Sequence, residues 1–245
     1  MNPFKISLWH KFLDGTPEYL ARHYWWAYLW QPAIWFFDHQ PIINLILFGQ
    51  YKRLLKKTLQ CLENRPAGRM LQLTCVYGKL TPSLIGYLDE QSLYLVDVST
   101  AQLEASRKRL KPERRSQLLA ARMNAESLGF QDNSFSTLLI FFLMHEMPAV
   151  ARQHTLVETI RILQPGGRLV ITEYGEEPYW HWIYRFRPLR QQLTFWEPFL
   201  EGFWREDISA MLQHEAKKQG KTIRQVEAHP VYNGFYRVLV YEMDI

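Results

Sequence analysis

Short apolar runs recur through the middle of the chain. Met70 to Cys75 is followed by Leu93 to Val98, a weaker run at Gln117 to Ala121, then Thr137 to Leu143 and Arg168 to Thr172. Runs of this length and composition read as buried strands. Between them Pro82 to Leu88, Ala101 to Leu110 and Ala149 to Ile162 have the length of crossover helices, the last stopped by Gln164-Pro165-Gly166-Gly167. Strands alternating with helices predict an α/β fold, with a mostly parallel sheet covered on both faces. Thr222 to Ala228 and Phe235 to Glu242 bracket Asn233-Gly234, a hairpin signal, so the sheet should finish with an antiparallel strand.

Composition divides the chain further. The 245 residues are 47% hydrophobic and 22% charged, an ordinary globular mix that excludes extended disorder. The 15% aromatic content is unusual, and all nine tryptophans fall in residues 1–50 and 174–204. We therefore divide the chain into an aromatic helical cap at 1–50 and an α/β domain at 51–245 that carries a second aromatic cap, an insertion at 174–210 after the fifth strand. Two cysteines, Cys61 and Cys75, make no disulfide framework or closed zinc site and favour a reducing compartment.

The net charge of +5 is modest, and the basic run from Arg107 to Arg115 reads as a solvated helix end, so no nucleic-acid partner is expected. Arg185, Arg187 and Arg190 interleave with Tyr184 and Phe186 just after His181 and Trp182, a mixture suited to a headgroup layer. No secretory signal is visible. The uncharged stretch Tyr24 to Phe37 contains Pro32 and falls short of the about 20 residues that a membrane span needs. The expectation is a cytoplasmic protein held peripherally at the inner membrane surface.

Open α/β sheets bind ligands at the carboxyl ends of their strands. Thr74-Cys75-Val76-Tyr77-Gly78 follows the first strand, and Asp97 ends the second, 19 residues beyond Gly78, where a carboxylate can accept both ribose hydroxyls of a nucleoside. The segment Asn124 to Phe135 then leads into the fourth strand, and Leu163 to Gly167 into the fifth. Together these residues resemble the class I S-adenosylmethionine-dependent methyltransferases, with their Rossmann-like sheet, and in particular the branch acting on ubiquinone and menaquinone precursors. The resemblance implies cofactor contacts from Thr74, Cys75, Val76, Gly78, Asp97, Val98, Asn124, Ala125 and Phe141. It breaks at Thr74 and Val76, where that superfamily carries glycines that let the backbone approach the methionyl end of the cofactor.

Cys75-Val76-Tyr77-Gly78 followed by Leu80-Thr81-Pro82, His23 to Tyr28, Phe141 to Glu146 and Trp204-Arg205-Glu206 are similar to the rhodoquinone biosynthesis enzymes of the RquA type. That resemblance implies replacement of a ubiquinone methoxy group by an amino group, with S-adenosylmethionine as the nitrogen donor and Mn2+ in support. Tyr77, His145 and Glu146 are the catalytic candidates. His145 and Glu146 form the best pair for proton transfer or hard-cation binding, and Glu173 is a further oxygen ligand. Tyr24, Trp25, Tyr28, His181 and Trp182 are candidates for a quinone pocket. Each of these residues also has a plain packing role open to it. Two other functions stay open: a conventional methyltransferase on a quinone or other apolar acceptor, and a catalytically silent lipid-binding protein.

Overall fold

The computed structural model describes residues 15–28 and 30–245, so the first fourteen residues of the 1–50 cap lie outside the described residues. Seven strands form one sheet: β1 Met70–Leu73, β2 Leu93–Asp97, β3 Leu118–Arg122, β4 Phe135–Phe141, β5 Leu163–Tyr174, β6 Ile223–Val231 and β7 Tyr236–Met243. Their order is β3-β2-β1-β4-β5-β7-β6. β1 to β5 run parallel, and β7 lies antiparallel to both β5 and β6. This is the mostly parallel sheet with an antiparallel finish that the apolar runs predict. Central β4 is buried at all seven positions, as a strand covered on both faces must be. β3 and β6 are the edges, and β6 is largely exposed and carries Pro230, a residue an edge tolerates.

The strands start and stop a few residues away from the apolar runs, for local reasons. β1 ends at Leu73 because Thr74 turns to φ 74°, and β4 ends at Phe141 because Phe142 turns to φ 52°. Cys75 and Leu143 remain buried beyond those turns, so the apolar pattern outlasts the strand. β5 begins at Leu163 rather than Arg168, since Leu163 already pairs with Phe135 before a register shift carries the chain past Pro165-Gly166-Gly167. The helix Tyr51–Cys61 was not foreseen. It buries Tyr51, Leu54, Thr58 and Cys61, spaced for one helical face, against the sheet.

The short helices Glu18–His23, Trp25–Tyr28, Gln31–Phe37 and Gln40–Ile46 form the N-terminal cap. Ile43 and Leu47 are buried in the same apolar cluster as Leu73 and Cys75 at the end of β1. The second cap folds as Trp182–Arg185, Arg187–Trp196 and Leu200–Trp204. The two aromatic flanks meet where Trp26 packs edge-on to Trp196, ring centres 5.3 Å apart.

Arg152, 2% exposed on the helix Ala149–Ile162, secures the turn after β4. It donates to both carboxylate oxygens of Glu206 at 2.7 and 2.5 Å, and to the carbonyls of Met147 and Met144. Removing one partner of a buried pair costs about 3–5 kcal/mol. Arg152→Leu should cost near the lower end of that range, because Glu206 keeps some contact with water, and the urea midpoint of unfolding measures it.

Candidate active site

The carboxyl ends of β1, β2 and β4, the N-terminal cap and the insertion enclose a cavity of about 470 Å³. One side, where the sequence places a nucleoside, carries the polar groups Asp97 and Asn124. Asp97, 8% exposed, accepts the backbone N–H of Cys75 at 2.8 Å through Oδ2 and that of Ser99 at 2.7 Å through Oδ1. Burial pushes its carboxyl up to about 6, against the pull of the Ser99 and Cys75 hydrogen bonds. Asn124 turns back on itself, its Oδ1 accepting the N–H of Glu126 at 3.0 Å. Thr74, Cys75, Val76, Val98, Ala125 and Phe141 complete this wall.

Gly78 is not part of that wall. Its φ is 84°, and an added Cβ would sit 2.7 Å from Gln40 Nε2, 2.8 Å from Ile43 Cδ1 and 2.8 Å from the Tyr51 hydroxyl. Its N–H donates to Asp38 Oδ1 at 2.8 Å, while Asp38 Oδ2 takes Arg109 Nε at 2.8 Å. The glycine is needed for close approach of the cap helix, a role that the loop pattern alone does not distinguish from cofactor contact. Tyr77 is also committed to the cap. Its hydroxyl donates to the Ala27 carbonyl and accepts from Gln102 Nε2 at 3.1 Å, and its ring stacks on Tyr28 at 5.9 Å. Burial holds that phenol in its protonated form.

The acid-base groups face the nucleoside wall. His145 and Glu146 sit on a 3₁₀ turn, Met144–Glu146, directly after β4. Glu173, 1% exposed near the end of β5, receives the N–H groups of Met144 and Tyr174 at 2.9 and 2.8 Å. Its Oε1 also lies 2.7 Å from His145 Nδ1, leaving Nε2 directed elsewhere. Nε2 lies 3.9 Å from Glu146 Oε1 and 3.8 Å from Glu197 Oε2. Tyr28 donates its hydroxyl to Glu146 Oε1, and Tyr24 donates to Glu197 Oε2 at 2.9 Å. Burial draws the His145 imidazole down, but Glu173, then Glu197 and Glu146, outweigh it and raise the group to about 9. Burial pushes both Glu146 and Glu197 up, with His145 opposing. One buried and two half-buried carboxylates around one imidazole are an over-supply of negative charge, and no Lys or Arg is among the described residues that line the cavity.

Glu197 had no signal in the sequence beyond its place after Trp196, because nothing in residue spacing brings position 197 to position 145. Conversely, Trp25, His181 and Trp182 do not line the cavity. Trp25 and Trp182 are 49% and 55% exposed. His181 caps the helix Trp182–Arg185 and packs on Phe235 and Tyr232, while Trp182 Nε1 donates to the Tyr232 hydroxyl, so both belong to the hairpin side. Of the five quinone-pocket candidates, Tyr24 and Tyr28 face the space.

Residues 38–188 match the ubiE/COQ5 methyltransferase family. The chain belongs to that family. Its curated relatives include demethylmenaquinone methyltransferases of Bacillus cereus (strain AH187) and Bacillus anthracis (strain A0248), each 26% identical over 141 residues, or 57% of this chain. The chain spans 59% of the length of those relatives. Among solved structures, the Bacillus subtilis YcgJ protein superposes with a TM-score of 0.55 at 14% identity, over 79% of this chain and 99% of its own. The N-methyltransferase NodS from Bradyrhizobium japonicum WM9 gives 0.55 at 14%, over 79% and 96%. These likenesses establish the fold of a class I methyltransferase.

The nucleoside wall fits S-adenosylmethionine in its donor set: each Asp97 oxygen takes one backbone N–H and keeps a lone pair for a ribose hydroxyl, with Asn124 placed for adenine. A protonated Asp97 accepts poorly. Affinity for S-adenosylmethionine should therefore be full well above pH 6 and be lost as pH falls through about 6, the value to which burial raises Asp97. Asp97→Asn should weaken binding about tenfold or more at neutral pH and flatten the dependence, as read by calorimetric titration.

Proposed function

We propose that the protein is an S-adenosylmethionine-dependent transferase acting on an isoprenoid quinone, and that it converts ubiquinone to rhodoquinone by exchanging a ring methoxy group for an amino group. The observation that carries this reading is the placement of His145, Glu146 and Glu197 across one aromatic cavity from a cofactor loop whose usual glycines are Thr74 and Val76. A methoxy carbon conjugated to a ring carbonyl can be attacked by an amine. The ring C–N bond forms, the C–O bond breaks, and methoxide leaves to take up the proton that the amine gives up. The donor's Cα–N bond must then break too, the Cα proton going to a base, the electron pair reducing the quinone ring to its hydroquinone, and water hydrolysing the resulting imine to a keto acid and the free ring amine. That exchange needs a neutral amine, a proton acceptor and a proton donor, and the Glu146 and Glu197 carboxylates can supply the latter two, through the oxygens that a bound cation leaves free. Methyl transfer to a ring carbon also needs an acceptor for the ring proton it displaces, so the altered loop, more than the acid-base groups, separates amination from methylation.

Thr74 bears on which end of the cofactor reacts. A β-branched residue at φ 74° is held against a preference of about 1–3 kcal/mol. Its side chain occupies the loop where a glycine would leave room, which favours a displaced methionyl group. When bound, Mn2+ would act as a Lewis acid on the ring carbonyl. Tyr24, Tyr28, Phe142 and Leu193 give the quinone ring and the start of its tail an apolar enclosure. The relatives named for demethylmenaquinone favour a second reading, methylation of a quinone ring carbon in the same cavity.

Expression in a ubiquinone-making host, with mass spectrometry of the extracted quinones, separates these readings. An aminated quinone is expected. A methylated product would establish the second reading, and no new quinone from folded protein would favour the silent lipid-binding alternative. Replacing Thr74 and Val76 together by glycine should leave S-adenosylmethionine binding intact and sharply reduce amination. Glycine relieves the backbone at 74 and costs about 0.5–1 kcal/mol at 76, so the fold should survive.

The quinone's membrane is the natural place of work. None of the described helices is long and apolar enough to cross a membrane. Trp30, Trp35, Phe36 and Leu45 of the N-terminal cap and Phe195 of the insertion are exposed, with Arg185, Arg187 and Arg190 in the same insertion. Peripheral attachment to the cytoplasmic face of the inner membrane follows, through aromatic insertion and anionic headgroups. Binding to vesicles containing anionic lipid should fall with salt and with Trp35→Ser, and vesicle sedimentation reads both.

A further inference from the structure

We infer that His145 Nε2, Glu146 and Glu197 are the protein ligands of one divalent cation, with Glu173, Tyr24 and Tyr28 as the residues that aim them. The site rests on the proposed function only for its use, since the geometry that would bind a cation is independent of the substrate. The three ligand atoms lie within 4.8 Å of one another. Metal–ligand bonds of about 2.0–2.2 Å place neighbouring ligands roughly 3 to 3.5 Å apart, so each side chain need move by only about an ångström to close on a common ion.

Three further features separate this site from a chance acidic cluster. Glu173 Oε1 lies 2.7 Å from His145 Nδ1 and favours a proton on that nitrogen, so Nε2, which faces Glu146 and Glu197, is the nitrogen that would give up its proton to a cation. A carboxylate behind a ligating imidazole is the arrangement that orients histidine in metal sites. Tyr28 and Tyr24, one helical turn apart, each donate to one ligand carboxylate and hold it toward the imidazole. Finally, these carboxylates have no arginine or lysine partner among the described residues lining the cavity, so a dication supplies the charge the site lacks.

One imidazole and two carboxylates, without thiolate, suit Mn2+ or Fe2+ more than a closed zinc site. Three protein ligands leave positions open toward the cavity, where an oxygen-bearing ring can reach them. Glu197 comes from the insertion and the other two ligands from the turn after β4, so the ion would bind the two parts of the site together.

The test uses the full chain, stripped with chelator and titrated with MnCl2 alone, free Mn2+ being read by electron paramagnetic resonance. One bound Mn2+ per chain is expected, with a raised Tm. Glu197→Gln should weaken binding by more than tenfold while leaving S-adenosylmethionine affinity unchanged. Tyr24→Phe, a milder variant that keeps the packing, should weaken it several-fold. The other grouping of metal-type residues, Cys61, Glu227 and His229, lies outside the cavity and has Arg168 3.8 Å from Glu227, so His229→Ala should not alter binding. Absence of stoichiometric binding, or unchanged affinity in both Glu197→Gln and Tyr24→Phe, overturns the assignment. Metal binding without aminated quinone would keep this site and refute the proposed reaction. Aminated quinone from protein that binds no Mn2+ would do the reverse.

Discussion

Burial of the Glu173 carboxylate near the end of β5 is the constraint from which the site is built. A charge taken out of water must be met by donors, and Glu173 is met by the amides of Met144, His145 and Tyr174 and by the His145 ring. Those donors lie on the turn after β4 and at the end of β5. Satisfying one carboxylate therefore fixes how β4 and β5 end relative to each other, forces the tight turn through Phe142, and sets the orientation of the imidazole. The tyrosines and Glu197 then arrange themselves around a group whose direction is already decided.

A second set of polar contacts closes the cap over the cofactor loop. Asp38 takes the Gly78 amide and the Arg109 guanidinium, Ser99 Oγ donates to the Tyr28 carbonyl at 2.9 Å, and Tyr77 reaches the Ala27 carbonyl. Each joins a residue of the cap to one in a loop that follows a strand or, for Arg109, at the end of the helix Thr100–Lys108, so the cap is registered by directional bonds as well as by its aromatic packing. The loop is tied to the cap through Tyr77 and Gly78 while Thr74, Cys75 and Val76 line the cavity, so the cavity-facing residues can change without the fold changing.

The fold was legible because its signals are local. Apolar runs, a Pro-Gly-Gly stop and Asn233-Gly234 each act within a few residues of themselves, and the sheet follows. Asp97, Asn124, His145 and Glu146 were legible for a related reason, since strand ends are where this architecture must put its ligands. Glu197 was not, because its partnership with His145 exists only after the insertion folds back across the sheet. Trp25, His181 and Trp182 were grouped with the pocket by composition, yet aromatic content does not say which face of a short helix looks inward. The helix Tyr51–Cys61 escaped because its apolar stripe is interrupted by Lys52, Arg53, Lys56 and Lys57, which face water.

The distribution of tryptophan has a spectroscopic consequence. All nine indoles lie in the two flanks and none in residues 51–173, while most of the strand structure lies in that middle block and the terminal hairpin. Tryptophan emission from this protein is therefore a signal of the flanks alone, whereas far-ultraviolet circular dichroism also reads the sheet and its crossover helices. Trp26 and Trp196, in edge contact across the junction of the flanks, are close enough to exchange excitation energy. The separation between the two optical melting curves is thus a direct measure of how far the flanks come apart while the sheet stays folded, with no label introduced.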